Sequence, residues 1–528
     1  MQGEAGGLRA RVAARSGATA ALAAVALSLS ACGGGGGGAV LPVALPAAAI
    51  APAASAPAEA EPIVASASVG AKCAAPRSGT NPETGTAFSD RAGTSTDEKR
   101  WVRGWIDETY LWFDEVPRNL AAASYATPID YFAVLKTPAT TASGRAKDRF
   151  HFTYDTAEYQ ALFSSGTAPG YGMEIAFLSA TVPRDLRVAY VEPGAPAAAA
   201  GVGRGVRLLE IDGVDVVNGT DVARINAGLA PAAGEAHGFK LGALDGSTRS
   251  VTLTAANVAS TPVQNVKTIA TASGAVGYLQ FNDHNEPAEA QLIAAVNQLK
   301  TANIVDLVLD MRYNGGGLLA IASELAYMVA SPSQTQGKTF ERLQFNSKNP
   351  FGLTQSQATV PFYDSTGGFV LPAGQPLPQL GLSRLTVLAG PDTCSASESV
   401  VNALRGVGVG VTLVGGTTCG KPYGFFAQDN CGTTYFAIQF QGMNQQGFGD
   451  YGDGFAPTCA VADDFAHALG DPAEARLAAA LALRSGGACP TAASSKSTLD
   501  LQKAEAAGTP YLRRSPAREN RVWKTSVR

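Results

Sequence analysis

The spacing of apolar residues changes along the chain, and each change predicts a different kind of structure. Between residues 96 and 165, large aromatic side chains recur at helical spacing, as at Trp101, Trp105 and Trp112. Apolar residues that share one face of a helix usually pack into a core. We therefore predict a small N-terminal helical region with its aromatic stripe buried.

In residues 166–258 the helical spacing gives way to short runs in which polar and apolar residues alternate. Residues 187–191 and 207–211 alternate polar and apolar side chains, and the turn signals Pro193-Gly194 and Asp212-Gly213 follow them. A period of two is typical of strands with one buried face. The pattern predicts a separate small β domain.

Strands and helices alternate over residues 264–490. Predicted strands cover 276–281, 304–309, 385–389 and 411–414, and predicted helices cover 287–301, 318–329, 397–404 and 472–483. Such alternation indicates an α/β fold, in which helices cover a largely parallel sheet.

The first 31 residues have the pattern of an export signal. Three arginines precede a short apolar stretch at 17–31, which ends in Leu-Ser-Ala and is followed by Cys32. This resembles a bacterial lipobox, in which the cysteine is acylated. We therefore expect an exported protein, anchored to a bacterial membrane on the periplasmic side through Cys32. An ordinary secretory signal cleaved nearby is the alternative.

Two further segments have biased composition. Residues 32–95 begin with six glycines and continue rich in alanine and proline, which predicts a flexible linker. Residues 491–528 carry eight Lys or Arg against three Asp or Glu, which predicts a solvated, disordered tail.

Charge and cysteine content narrow the function classes. The 528 residues include 40 Lys or Arg and 44 Asp or Glu, a net charge of −4 that argues against a general nucleic-acid binder. Six of the seven cysteines follow Cys32, and export favours disulfides among them. We predict a Cys419–Cys431 pair, because a short hairpin could join them. Paired CxxC spacing is absent and the chain has only four histidines, so we do not expect a zinc site.

Glycines follow the predicted strand 304–309. The run Asp310 to Gly317 reads DMRYNGGG and leads into a predicted helix. Backbone N–H groups in such a turn can stabilise an oxyanion. A plain strand-to-helix turn is the alternative.

Ser395 lies at the start of another predicted helix, in the sequence CSASE. The helix dipole and the first N–H groups would favour an oxyanion beside its hydroxyl. However, Ser395 and Glu398 also match a capping box, which needs no catalytic role.

Lys421 follows Ser395 by 26 residues, about one strand–helix–strand excursion. A buried lysine can lose its proton and act as a general base for a serine. A solvated surface lysine is the alternative for Lys421. The residues before it also match a P-loop, but Pro422 replaces the required Ser or Thr. A triad using His284 or His467 stays open.

The β domain resembles a PDZ domain. The likeness rests on a glycine loop at Gly170, Tyr171, Gly172 and Met173, followed by PGAPAAAAGVGRGVRLLEIDGVDV. It implies that the loop receives the terminal carboxylate of a peptide that adds to the sheet edge. A small β domain without a peptide role is the alternative.

The whole order of motifs resembles the S41 peptidases, the tail-specific or C-terminal-processing proteases. The segments are LVLDMRYNGGGLL, CSASESVVNAL, GGTTCGKPYG and DGFAPTCAV. The likeness implies a crotonase-like α/β core with Ser395 as nucleophile and Lys421 as general base. It also implies an oxyanion hole made by the N–H groups of Gly316 and Ala396. Phe425 stands where the family has an orienting Gln, so we expect Gln428 to take that role.

The resemblance implies a serine endopeptidase that needs no cofactor and cleaves exported or unfolded polypeptides with apolar C-terminal tails. The domains expected are a signal peptide, a linker, a helical region, a PDZ-like domain, a catalytic core and a tail, at 1–31, 32–95, 96–165, 166–258, 264–490 and 491–528. The main alternative is a catalytically inactive, membrane-tethered PDZ scaffold. A crotonase-fold enzyme acting on thioesters is less compatible with export.

Overall fold

The computed structural model describes residues 62–81 and 84–490. The predicted signal peptide, the lipidation site Cys32 and the tail 491–528 lie outside these described residues. Within them, every helix is too short or too polar to cross a membrane.

The described part of the N-terminal region combines four α-helices with three short strands. Its elements are α1 (Ser66–Val69), β1 (Lys72–Cys73), β2 (Arg91–Ala92), α2 (Ser95–Thr109), α3 (Pro128–Val134), β3 (Phe152–Asp155) and α4 (Thr156–Ser165). Helix α2 begins at a capping box formed by Thr94 and Asp97. Of the predicted aromatic stripe, Trp101 and Trp105 lie in the core and stack with ring centroids 5.6 Å apart. Trp112 lies beyond the end of α2 and is only partly buried.

The prediction of a flexible linker over all of 32–95 is wrong in its second half. Cys73 forms a disulfide with Cys431 and is buried, and Ser66 donates two hydrogen bonds to Glu108 of α2. These contacts fix α1, β1 and β2 to the folded body. The same disulfide shows that the predicted Cys419–Cys431 pair is wrong.

The β domain forms a sheet of its own. Its elements are β4 (Thr167–Gly170), β5 (Met173–Ser179), β6 (Asp185–Val191), α5 (Pro196–Ala199), β7 (Arg207–Ile211), β8 (Val214–Asp215), α6 (Val222–Leu229), β9 (Ala236–Gly242), β10 (Thr248–Thr254) and β11 (Ala256–Ala259). The strand order is β10-β9-β7-β6-β5, with β8 beside β7. Strand β5 is therefore an edge strand. Strands β4 and β11 pair as a ribbon where the chain enters and leaves the domain.

The core is an α/β structure. Its strands are β12 (Val263–Ile269), β13 (Val276–Phe281), β14 (Asp306–Asp310), β15 (Thr339–Phe345), β16 (Thr359–Pro361), β17 (Arg384–Ala389), β18 (Gly410–Gly415), β19 (Tyr423–Gly424), β20 (Gln428–Asn430), β21 (Thr433–Phe436), β22 (Phe440–Met443) and β23 (Cys459–Ala460). Its helices are α7 (Ala288–Thr301), α8 (Leu319–Val329), α9 (Pro332–Thr335), α10 (Ala396–Gly406) and α11 (Ala475–Arg484). Each of the eight predicted elements has a counterpart here.

The central sheet has the order β12-β13-β14-β17-β18-β23 and is parallel except for β12. Alternate residues of its strands pack on opposite faces. Leu307, Leu309 and Val387 share a core with α7, α8 and α10, whereas Val308 and Leu388 pack with α11. The loops after β14, β17 and β18 leave neighbouring parallel strands at the same edge, which is where open α/β sheets bind ligands.

Glu192 links the β domain to the core. Its carboxylate accepts hydrogen bonds from the N–H of Thr261 at 2.8 Å and from the side chain of Gln264 at 3.1 Å. Burial raises the pKa of Glu192 to about 7. The negative charge of Glu174 also raises this pKa, whereas the hydrogen bonds from Thr261 lower it. The junction between the two parts therefore contains a carboxyl group that holds its proton at mildly acidic pH.

This pKa predicts a pH-dependent stability. Between the usual glutamate pKa of 4.5 and about 7, the folded chain retains a proton that the unfolded chain releases, so stability falls as pH rises through this window. We expect Glu192→Gln to flatten that part of the curve of unfolding free energy, measured by urea titration, against pH. Glu210→Gln, which removes an ion pair with Lys240, serves as the control and should keep the wild-type slope. Parallel curves for wild type and Glu192→Gln would contradict the assignment.

Candidate active site

Ser395 occupies a strained turn between β17 and α10. Its φ is +54° and its ψ is −117°, a backbone conformation that is costly for a residue with a side chain. Ser395 is 9% exposed. Such strain persists only where the surroundings impose it, and it is common at functional sites.

The loop after β14 packs directly on this turn. The carbonyl of Asn314 accepts hydrogen bonds from the N–H of Cys394 and the hydroxyl of Ser397, both at 3.1 Å. A Cβ atom on Gly316 would lie 2.8 Å from the carbonyl oxygen of Cys394 and 3.0 Å from the nitrogen of Ala396. Only glycine fits at this approach, and Gly316 has a φ of +101°.

The two predicted oxyanion donors are thus brought together. Ala396 is the first residue of α10, so its N–H has no acceptor within the helix. The N–H of Gly316, however, donates to Oδ1 of Asn314 at 3.0 Å. Gly316 must exchange that acceptor before its N–H can serve a substrate.

His284 contacts the loop after β14 through its side chain and its backbone. Its Nδ1 lies 3.0 Å from Oδ1 of Asn314, and its carbonyl accepts the N–H of Leu318 at 2.8 Å. Burial lowers the pKa of His284 to about 3, so the imidazole is neutral and Nδ1 carries the proton. Its hydrogen-bond partner is an amide rather than a carboxylate, and this disfavours the triad alternative for His284. His467 is 44% exposed in its side chain, beside Asp464.

Glu398 joins the turn at Ser395 to the loop at Lys421. Its buried carboxylate accepts the N–H of Ser395 at 3.0 Å, that of Lys421 at 2.8 Å and that of Gly420 at 2.9 Å. The hydroxyl of Thr418 donates at 2.5 Å. Burial raises the pKa of Glu398, and these four hydrogen bonds oppose the rise. Because the Gly420 and Lys421 amides are already bound, they do not form a phosphate cradle.

The side chain of Lys421 lies among aromatic rings. Lys421 is 1% exposed, and its Nζ lies 3.8 Å from the ring centroid of Phe425 and 5.2 Å from that of Phe150. Gln428, expected to orient this amine, is exposed and donates to the carbonyl of Asp429. The geometry therefore gives no support to Gln428 in that role.

A disulfide also bridges the two loops. Cys394, which precedes Ser395, is bonded to Cys419, two residues before Lys421. With Glu398 these cysteines form a cluster whose ligand-type atoms lie within 4.8 Å of one another. The disulfide uses both sulfurs, so neither is available as a thiolate ligand for a metal.

Buried ion pairs hold the base of the loop after β14. The guanidinium of Arg312 contacts Asp310 at 2.9 Å, and Asp463 and Glu474 at 2.8 Å. Tyr313 donates to Asp463, which also pairs with Arg204 of the β domain at 2.7 Å. The β domain therefore contacts the segment that leads to Gly316.

The proposed peptide loop lies at the start of β5. The carbonyl of Tyr171 accepts the N–H of Ala197 at 3.0 Å, and that of Gly172 accepts the N–H of Glu192 at 2.7 Å. Gly170 ends β4 and Met173 begins β5. These contacts use carbonyls of the loop and fix its position beside the edge strand.

Comparison with known proteins agrees with this geometry. Residues 275–428 match the model of peptidase family S41, and residues 97–154 match that of the peptidase S41 N-terminal domain. A carboxyl-terminal-processing protease of Picosynechococcus is 27% identical over 360 residues, 64% of this chain and 75% of that protein. A chloroplastic C-terminal processing peptidase of Tetradesmus obliquus is 27% identical over 340 residues, 62% of this chain and 64% of that protein.

The crystal structure of a protein from Bacteroides fragilis, described in its title as an S41 protease, has the same fold as this chain. It is 21% identical, with a TM-score of 0.57 over 73% of this chain and 97% of that one. The two family matches follow each other in chain order, and the longer one contains both Ser395 and Lys421. Together these findings show that residues 97–154 and 275–428 are similar to peptidase family S41, and they support a serine peptidase hydrolase.

Proposed function

We propose that the chain is a serine endopeptidase whose nucleophile is Ser395 and whose general base is Lys421. The observation that carries the proposal is the shared carboxylate of Glu398, which accepts the backbone N–H of both residues. Glu398 thereby holds the turn at Ser395 and the loop at Lys421 close to each other. A nucleophile and its general base must be held close in this way.

The reaction proceeds by acyl transfer. The oxygen of Ser395 attacks the peptide carbonyl while the neutral amine of Lys421 takes the hydroxyl proton. The N–H groups of Ala396 and Gly316 stabilise the resulting oxyanion. Lys421 then gives its proton to the departing amine. Water next attacks the ester on Ser395 while Lys421 accepts a proton from it. Lys421 then returns this proton to the oxygen of Ser395 as the acid product leaves.

The environment of Lys421 favours its use as a base. An ammonium group loses hydration on burial, and this loss favours the neutral amine. Lys421 is 1% exposed, and the rings of Phe425 and Phe150 lie near its Nζ.

The substrate class follows from the β domain and the relatives. Strand β5 has β6 as its neighbour and leaves its other edge for a peptide strand, as in PDZ domains. Two relatives are named as C-terminal processing enzymes. We infer that the domain captures apolar C-terminal tails of exported or unfolded polypeptides near Gly170 to Met173.

The location proposed is the periplasmic side of a bacterial membrane, with a lipid anchor at Cys32. Three disulfides within the described residues favour an oxidising compartment. The lipobox-like sequence before Cys32 supports the anchor.

Removal of either dyad member should strongly reduce turnover. We expect Lys421→Met to lower kcat for cleavage of unfolded β-casein by roughly 10²–10⁴-fold, the usual contribution of a general acid–base group. Ser395→Ala removes the nucleophile and should lower kcat by roughly 10⁶-fold. For the wild type, kcat/KM should rise with an apparent pKa well below about 10.4, the value of a free lysine. Absence of cleavage in both wild type and Ser395→Ala would favour the scaffold alternative, whereas equal cleavage by both would exclude Ser395 as the nucleophile.

The tail preference can be measured with matched substrates. An unfolded reporter that ends in three apolar residues should show at least tenfold higher kcat/KM than the same reporter ending in three aspartates. Gly172 has a φ of +70°, and an added Cβ would lie 2.2 Å from that of Ala195. Gly172→Ala should therefore distort the loop and remove the preference. Equal rates for both tails in the wild type would exclude this role of the β domain.

The disulfide between Cys394 and Cys419 should affect activity beyond its effect on stability. It joins residues 25 apart, and the Cys459–Cys489 disulfide joins residues 30 apart. Replacing either pair by alanines should cost about 3 kcal/mol of unfolding free energy, because the closed loops are similar. Only the loss of the first pair should lower kcat, since that pair holds the two active-site loops. Equal kcat in both double variants would contradict this.

A further inference from the structure

The rings of Phe425 and Phe150 contact the Lys421 amine from two different parts of the chain. Phe425 belongs to the core and Phe150 to the N-terminal region, and both are buried. We propose that these two rings, here called the lysine seat, are positioning residues that fix Nζ of Lys421 for proton transfer. The inference rests on the proposed function of Ser395 and Lys421.

The ring of Phe425 is itself firmly held. It packs edge-on against Phe152 at 5.5 Å and against Phe436 at 5.3 Å, measured between ring centroids. Phe152 and Phe436 stack on each other at 4.4 Å. A close-packed aromatic cluster leaves little room for the Phe425 ring to move. The Phe425 ring is therefore fixed in place, with its centroid 3.8 Å from Nζ of Lys421.

Phe150 is fixed by a polar cluster in the N-terminal region. Its N–H donates to Asp148 at 2.8 Å, and the same buried carboxylate contacts Nδ1 of His151 and the hydroxyl of Tyr110, both at 2.6 Å. The neighbouring Arg149 donates to the carbonyl of Cys419 at 2.8 Å. The segment around Phe150 is thereby docked onto the loop that carries Lys421. The N-terminal region is therefore part of the site rather than only a support for it.

The seat acts on the charged form of the lysine. When Lys421 takes the proton of Ser395, its amine becomes an ammonium, and the face of an aromatic ring attracts a cation. The attraction is weak for the neutral amine, so it grows as the proton is transferred. An interaction that strengthens in this way lowers the barrier and affects kcat more than KM.

The test compares Phe425 with a buried phenylalanine that belongs to neither the lysine seat nor its supporting cluster. Phe425→Leu removes the ring beside Nζ of Lys421, whereas Phe340→Leu removes a buried ring of the core that packs on Phe362 and is the matched control. We expect Phe425→Leu to lower kcat for a quenched-fluorescent casein peptide at least tenfold with KM within twofold. Phe340→Leu should keep kcat within twofold, and Phe425→Tyr, which keeps a ring, should retain more than half of it. Equal kcat in the two leucine variants would overturn the proposal.

A second measurement does not depend on catalysis. Lys421 and the partly exposed Lys240, whose side chain is 43% accessible, are labelled with an acetylating reagent and quantified by mass spectrometry. We expect Phe425→Leu and Phe150→Leu to raise labelling of Lys421 relative to Lys240 at least fivefold, and Phe340→Leu to leave it unchanged. Unchanged labelling in both seat variants would refute the seat, even if the wild type proves inactive. Loss of cleavage in all forms together with increased labelling would instead refute only the proposed peptidase function.

Discussion

One buried carboxylate organises this site. Glu398 accepts hydrogen bonds from the turn that contains Ser395 and from the loop that contains Lys421. A buried carboxylate is costly unless donors surround it, and here four donors do so. The need to satisfy Glu398 forces the two segments together, and the strained backbone at Ser395 is compatible with that constraint.

The sheet supplies the coarse placement on which this contact depends. Strands β14, β17 and β18 are parallel neighbours, so their following loops meet at one edge. Glycine at position 316 then lets the first loop touch the second, while the Arg312 ion pairs hold the loop's base. The sheet therefore brings the loops to one edge, and the contacts at Gly316 and Arg312 then fix their positions.

Most elements of the core and the candidate residues could be predicted from the sequence, because local sequence patterns indicate them. The strands and helices of the core follow from hydrophobic spacing, and Ser395, Gly316 and Lys421 each follow a predicted strand. The capping-box alternative and the catalytic interpretation of Ser395 and Glu398 are compatible, since Glu398 both caps α10 and reaches Lys421.

What could not be predicted depends on contacts between distant segments. The partner of Cys431 is Cys73, 358 residues away, and composition alone made that segment look like linker. Phe150 reaches Lys421 only because the N-terminal region folds against the core, so helical spacing gave no sign of it. Gln428 was expected from its nearness in sequence, yet strand β20 carries it to the surface.

The bond between Cys73 and Cys431 turns most of the described chain into a covalent ring. The ring encloses the N-terminal region, the β domain and both loops of the site. A single break of the backbone anywhere between those two cysteines would leave one connected molecule. The chain could thus be cleaved in an exposed loop of this ring without losing a fragment.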